Sequence, residues 1–466
     1  MHYPVKFISL AFLIFLFPSD IFSESLYSLS RFYLDLEKED NFEDIFEFRQ
    51  RFFLEQNYSI KDSLSFNFSG KLDLIYSYGG FSRFSYYFNL FEFYLNIPFG
   101  SANVFAGRKI VSWGVVDGSP LDVINRPDFS EGFFNEPRFF KTPSIISQFV
   151  WFSGNSSFDF VYEPFFTPPT FFDIGGDWAI LNWKVLNSSF EGDKENSQLN
   201  NLLNGLVSPI VKAYPDKITN LLLSFGLGFQ YKTSFDNLNL SFVSYSGSSI
   251  FPLPFFEQTF VDYFERSPRG FSEKFDISAL EILEPASRGE PFIRLEPRRY
   301  YLVGAGWSYD IDGYLLKNDL AFYLMNDLPN QNLKIKEFNL FSWALDLERE
   351  IIPNLFLIPS FRGFVKISPV DQIIIFKNGV FLPSISGRYE FFIGNSSLSF
   401  LGNLVLDVPL ELDSIRSHFF VFSTTWKPKD FIELSIFSYI FGGKEVSFFG
   451  FFKNNSALSF WTKFYL

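Results

Sequence analysis

Apolar and polar residues alternate along much of this chain. In 62–69, Leu64, Phe66 and Phe68 fall on one face and Ser63, Ser65, Asn67 and Ser69 on the other. In 71–78, Leu72, Leu74, Tyr76 and Tyr78 oppose Lys71, Asp73 and Ser77. The pattern returns in 313–325, where Tyr314, Leu316, Leu320, Phe322 and Leu324 oppose Lys317 and Asp319. In 397–408, Leu398, Phe400, Leu404, Leu406 and Val408 oppose Ser397, Ser399, Asn403 and Asp407. Period two belongs to strands with two unlike faces. Many such segments of roughly ten residues, punctuated by turns, describe a transmembrane barrel. Past residue 25 no apolar stretch reaches the roughly 18–20 residues that a helix needs to cross a bilayer.

Strands are predicted near 45–56, 61–69, 71–78, 83–97, 101–111, 146–153, 156–163, 219–231, 236–246, 298–309, 313–325, 336–348, 353–364, 371–376, 380–394, 397–408, 415–427, 431–441, 444–453 and 456–466. The expected fold is therefore all-β, a transmembrane antiparallel β-barrel of about 16–20 strands with long outer loops. The long connections 112–145, 164–218 and 247–297 are expected on the outer side. Pro98-Phe99-Gly100, Lys377-Asn378-Gly379 and Gly442-Gly443 are expected to turn on the inner side. Within 187–218, Leu199, Leu202, Leu203, Leu206, Val207, Ile210 and Val211 follow helical spacing and predict one short loop helix.

Both ends carry their own signals. Lys6 precedes a run, Phe7 to Phe17, that is apolar except for Ser9, followed by Pro18-Ser19-Asp20 and small residues at Ser23 and Ser25. That order predicts a cleaved signal peptide over 1–25 and a single barrel domain over 26–466. The chain closes on a strand-like segment with Phe460, Phe464 and Leu466 on one face and Trp461, Lys463 and Tyr465 on the other. It resembles the C-terminal recognition strand of Gram-negative outer-membrane barrels, with Tyr465 supplying the aromatic one residue before the final Leu466. The resemblance implies an assembly strand, Phe460, Phe464, Tyr465 and Leu466, and the outer-membrane assembly machinery as a partner.

Composition narrows the chemistry. The 466 residues include 69 Phe, 2 His and no Cys, and the net charge is −13. Without cysteine there is no disulfide, thiolate nucleophile or thiolate metal site. His2 lies in the expected signal, so His418 alone could act as a base, and by parity it shares a face with Phe420, Phe422 and Trp426. Neither a catalytic residue nor a cofactor or metal ligand is singled out, and an enzyme is not expected. The acidic balance argues against nucleic acid, whose binding rests on Lys and Arg neutralising phosphates.

One segment stands apart. Residues 107–129 read G-R-K-I-V-S-W-G-V-V-D-G-S-P-L-D-V-I-N-R-P-D-F. It resembles a family of uncharacterised porin-like outer-membrane barrels in which a G-R-x-x-x-x-W-G strand end precedes a V-I-N-x-x-D turn. Arg126 stands here where that family would have Pro. Arg108, Lys109, Trp113, Asp117, Asp122 and Asp128 are the candidate residues of a constriction loop. In that arrangement Arg108 and Lys109 sit at its base and the carboxylates reach back toward them.

The inward residues Ser63, Ser65, Asn67, Lys71, Asp73, Lys317, Asp319, Asp407 and Glu433 predict a polar lumen. A barrel this large encloses more than its side chains fill. The expected function is a channel in the bacterial outer membrane, among outer-membrane lipid, passing small polar solutes passively or with substrate preference. The stretch 247–297 holds nine acidic residues against five basic, and the other two long loops each carry a net charge of −2. A weak cation preference is therefore expected. The alternatives are a surface adhesin or structural barrel and an export or lipid-transfer barrel with a periplasmic partner. Homo-oligomers are among the expected assemblies.

Overall fold

The computed structural model describes residues 25–35, 44–59, 64–79, 83–128, 131, 136–167, 211–213, 224–248, 253–256, 293–296, 299–329, 335–367, 379–409, 415–443, 447, 449 and 456–465. Eighteen strands form one sheet. They are β1 (Ser25–Asp35), β2 (Asp44–Ser59), β3 (Ser65–Gly79), β4 (Arg83–Phe99), β5 (Ala102–Lys109), β6 (Ser144–Ser153), β7 (Ser156–Glu163), β8 (Gly226–Phe235) and β9 (Leu238–Ser248). The second half comprises β10 (Arg299–Ile311), β11 (Tyr314–Pro329), β12 (Ile335–Ile352), β13 (Leu355–Lys366), β14 (Gly379–Ile393), β15 (Ser396–Pro409), β16 (Ser417–Lys429), β17 (Ile432–Gly443) and β18 (Ala457–Tyr465). Each strand pairs antiparallel with its neighbour in chain order, and β1 pairs with β18 from Tyr27↔Tyr465 to Asp35↔Ala457. The sheet is closed, so every strand has a partner on both sides.

Connections sort by end. From β4 onward each even-to-odd connection is two residues long, as at Asp312-Gly313, whose positive φ values of 50° and 77° suit a tight hairpin. These turns share one end with both ends of the described chain. The opposite end carries 110–143, 164–225 and 249–298. Two of these long loops meet there through Val211–Ala213, which pairs parallel with Ile293–Glu296, itself paired with Leu253–Phe256.

The 18 strands fall within the expected 16–20, but their bounds differ from the twenty expected segments in identifiable places. The segments 61–69 and 71–78 are one strand, β3, because Gly70 marks a bulge against β4 between Ser69 and Gly70 rather than a turn. A strand was not expected over 25–35, yet β1 is the closing strand. β13 pairs directly with β14, so 371–376, which lies outside the described residues, adds no wall strand. Counting it reversed the strands after it. Gly442-Gly443 accordingly lies at the loop end, and the connection containing Lys377 and Asn378 leaves β13 and enters β14 at that same end. The expected strand 444–453 is absent where described: Ser447 and Phe449 are a bend and a turn, with Phe449 buried against Phe419. The strand expected at 219–231 begins at Gly226. The loop helix expected within 187–218 lies outside the described residues except at Val211, which is in a strand.

Alternation sets the two faces. Phe84, Tyr86, Phe88, Phe93 and Leu95 on β4 are exposed on the outer face, and Leu72 and Tyr76 pair into the same face. Lys71, Asp73 and Ser77 point inward and are buried. An apolar aromatic outer wall around a polar interior, with the strands paired edge to edge in a closed sheet, is how a barrel meets lipid.

Candidate functional site: the inturned segment and the lumen

The chain leaves β5 through Gly107, whose φ is +136° and where a Cβ would collide with the backbone of Phe93 and Tyr94. It then turns into the barrel. Asn125 buttons the segment at its root: its Oδ1 accepts from Val111 N at 2.6 Å, and its Nδ2 donates to Lys109 O and Thr142 O at 3.1 Å each.

The first half docks on the wall of β6–β11. Val111, Trp113, Leu121, Val123 and Ile124 pack with the inward residues Ile146, Val161, Val243, Tyr300 and Leu302 in one apolar cluster. The Trp113 indole donates to Asp159 Oδ2 at 3.0 Å and lies against Gly228, where a Cβ would strike the ring. Gly304 makes the same room for Leu121. Gly114, with φ +95°, presents two consecutive amides, so Asp319 Oδ2 accepts from Val115 N at 2.8 Å and Val116 N at 2.9 Å. Arg126 is fully buried; its guanidinium donates to Glu163 Oε2 at 3.2 Å, Tyr245 OH at 3.4 Å and Ser248 O at 3.2 Å. Burial opposes its charge, but Glu163 beside it more than compensates and holds its pKa above the ordinary value.

The second half docks on β1–β3 through charge. Glu131 meets Arg31 Nη1 at 2.8 Å, Arg49 Nη1 at 3.1 Å, Arg51, and Lys71 Nζ at 3.6 Å. Burial pushes its carboxyl up, yet Arg49, Arg51, Arg31 and Lys71 prevail and hold it well below the usual carboxylate range. Glu136 accepts from Tyr27 OH at 2.9 Å and Lys463 Nζ at 2.8 Å. Phe139 fills the space between Phe53 and Phe91, with ring centroids 5.3 and 4.9 Å away, and Arg51 lies over its face.

Between these anchors the tip reaches the far wall. Arg362 of β13 donates to Asp117 O at 2.9 Å. Beside this contact a cavity of about 330 Å³ is lined by Asp117, Lys317, Asp346, Glu348, Ser360 and Arg362, among other residues of β11–β15. Lys317 and Glu348 pair at 3.2 Å, and Arg362 and Asp346 at 3.2 Å.

The expected site residues scatter accordingly. Lys109 points inward, donating to Gln148 Oε1 at 3.2 Å. Arg108 does not share its face. It pairs in register with Phe93 and Ile145, both exposed on the outer wall. Asp122 is held by Lys141, and burial keeps its carboxyl above the ordinary value despite that pair. Asp128 donates its backbone N–H to Phe140 O at 2.8 Å. None of the three aspartates meets Arg108 or Lys109. His418 lies on the outer wall, in register with Leu406. Phe460 and Phe464 are exposed on the outer face of β18, Tyr465 pairs inward with Tyr27, and Leu466 lies outside the described residues.

The residues that hold the segment, Arg31, Arg49, Arg51, Glu131 and Glu136, are not apparent from alternation alone. A usable signal is F-R-Q-R-F at 48–52: two arginines two apart share a face opposite three aromatic or amide side chains. Inward cations in such a strand need a counter-charge from elsewhere in the chain.

No protein-family model and no curated protein sequence matches the chain. Among solved structures, the chain is similar to OccAB1 of Acinetobacter baumannii, with a TM-score of 0.51 at 9% identity over 95% of each chain. OccAB3 of the same organism gives 0.49 at 9% over 95% of this chain and 99% of that one. OccD3 (OpdP) of Pseudomonas aeruginosa gives 0.45 at 10% over 95% and 91%. At these identities the likeness is one of fold, and it rests on OccAB1. The fold is that of the porin-like barrels of Gram-negative outer membranes.

Proposed function

We propose that the chain is an outer-membrane channel for small polar solutes, with 110–142 as its constriction. Barrels of 16–18 strands leave an aqueous channel unless something fills it. The observation that carries the reading is the polar cavity beside Asp117. The segment occupies the β1–β3 and β6–β11 sides of the lumen and leaves the β11–β15 side open. That opening has Asp117, Asp346 and Glu348 against Lys317 and Arg362. The excess acid there, with the acidic outer loops, supports a weak cation preference that fades as salt screens it over about 8 Å. Opposite charges across one opening also favour dipolar solutes. The same reading makes 1–25 a cleaved signal and Phe460, Phe464, Tyr465 and Leu466 the strand read by the assembly machinery.

The test is planar-bilayer recording of refolded protein. Discrete conductance steps with a small cation-selective reversal potential are expected at low salt. A heat-modifiable barrel that gives no steps points instead to a surface or structural role, and a clear anion preference removes the cation assignment alone.

A further inference from the structure

The opening beside Asp117 changes character from one edge to the other. Lys317, Asp346, Ser360, Ser384 and Val405 stand in one register row across β11 to β15, so the inner wall runs from charge through hydroxyls to an apolar side chain. Arg362 and Leu382 pair one step nearer the long loops and repeat that change. All of them line the same cavity of about 330 Å³. Leu382 and Val405 pack against the buried cluster of Phe419, Tyr439 and Phe441, which makes them a firm apolar edge.

The cations of the charged edge already have partners. Lys317 pairs with Glu348, and Arg362 pairs with Asp346 and donates to Asp117 O. Arg388, two residues beyond Ser386 on β14, lies over the Phe356 ring and outside the lining. The Asp117 carboxylate is the exception: it is exposed and makes no ion pair among the described residues. Its backbone is nevertheless fixed, because the amides of Val115 and Val116 bind Asp319 before it and Gly118 turns the chain at a φ of +68° after it. A held, unmatched carboxylate on the edge of a cavity attracts a cation, whereas an anion there meets Asp117, Asp346 and Glu348 with no free lysine or arginine in the lining. A simple inorganic cation would use only this edge and leave Leu382 and Val405 facing water.

We infer that this opening prefers organic ammonium ions with an apolar body, the ammonium at Asp117 and the body along Leu382 and Val405. The inference deepens the channel reading of the same opening and rests on it. β13, whose Arg362 touches Asp117, and β15, which carries Val405, lie two strand spacings apart, roughly 10 Å. An ammonium joined to one aromatic ring spans that distance and touches both edges. Covering the apolar edge adds an attraction that charge alone does not supply, and it does so without displacing either ion pair.

The test is single-channel recording of refolded full-length barrel at neutral pH and low salt, with phenethylammonium, ethylammonium and phenylpropionate added in turn. These carry the charge with the body, the charge without it, and the body with the opposite charge. Phenethylammonium is expected to interrupt the current at concentrations about tenfold lower than either of the others. Asp117→Asn is expected to weaken that block about fivefold without weakening any block by phenylpropionate. Leu382→Asn with Val405→Thr is expected to bring phenethylammonium to the level of ethylammonium and leave ethylammonium unchanged. Heat-modifiable migration on a detergent gel confirms that each variant has folded. A barrel that gives no current steps removes the channel reading, and calorimetric titration of the same refolded protein with the three compounds then tests the preference by itself. The proposal is overturned if phenethylammonium acts no better than ethylammonium or phenylpropionate, or if Asp117→Asn responds to it like wild type.

Discussion

The inturned segment is held by two unlike walls. Its first half lies on β6–β11 through apolar packing, with Trp113, Leu121 and Ile124 seated where Gly228 and Gly304 leave room. Its second half lies on β1–β3 chiefly through Glu131 facing three arginines and a lysine, with Glu136 and Phe139 beside it. Apolar docking is broad, non-directional and little affected by salt or pH. Buried ionic docking is exacting: removing one partner strands the others, while the intact set fixes one geometry. The segment is thus fastened by surface area on one side and positioned by charge on the other.

Deleting 115–127 removes the tip and most of the apolar anchor while leaving every wall strand, so the largest change, a severalfold rise in single-channel conductance, is expected there. Unchanged conductance would mean that ions do not pass the tip. Glu131→Ala should come next, because four cations lose their shared carboxylate at a cost of about 3–5 kcal/mol to the docked segment. It should raise conductance and shift the reversal potential toward anions. If Glu131→Ala behaves like wild type, the charged wall is not a fastening. Trp113→Ala, with about 3–5 kcal/mol of lost packing, should loosen the other half and add open-channel noise without moving ion preference. An equal selectivity change in both variants would erase the distinction between the walls.

Acid provides a gentler probe. Glu131 titrates below the ordinary carboxylate range, so its contribution is complete above the unfolded value and is lost only as pH falls through the lower folded one. The large conductance rise that marks release of the segment should therefore appear only in acid stronger than the ordinary carboxylate range; such a rise centred near pH 4–5 would contradict the assigned network. The smallest effect is expected from Arg108→Ala, which removes a side chain from the outer wall and should leave conductance and ion preference as they were.

The alternation that predicts the barrel is clear where each face has a single solvent. The faces of β3 and β15 read correctly, although β3 reads as two strands divided at Gly70, because their outer faces are apolar and their inner faces polar. β1 was illegible for the opposite reason. Its inward Tyr27 and Leu29 are apolar because they pack against the inturned segment, and its outward Ser28 and Ser30 are polar, Ser30 donating to Gln50. Arg108 and Lys109 show the limit most sharply. Adjacent residues on a strand must face opposite ways, so they could not both serve the base of a loop, and which one points inward depends on a register set by β4 and β6. The turn-rich character of 110–128 was visible in its Gly, Pro and Asp residues. Its fastening was not, because Glu131 is one acid among many until folding brings Arg31, Arg49 and Arg51 around it.

The seam between β1 and β18 bears on how such a wall is made. Tyr27 pairs with Tyr465, so the last ladder joins the most distant parts of the described chain. Each hairpin before it can form from neighbours in sequence, but this one cannot begin until Ala457–Tyr465 is brought to Ser25–Asp35. Until then the growing sheet carries the free N–H and C=O groups of β1 along one edge, a template for any other strand. What the unclosed barrel needs protected is that edge, and a factor that pairs with a strand, taking the place of β18 until it arrives, would serve it better than one that only shelters apolar side chains.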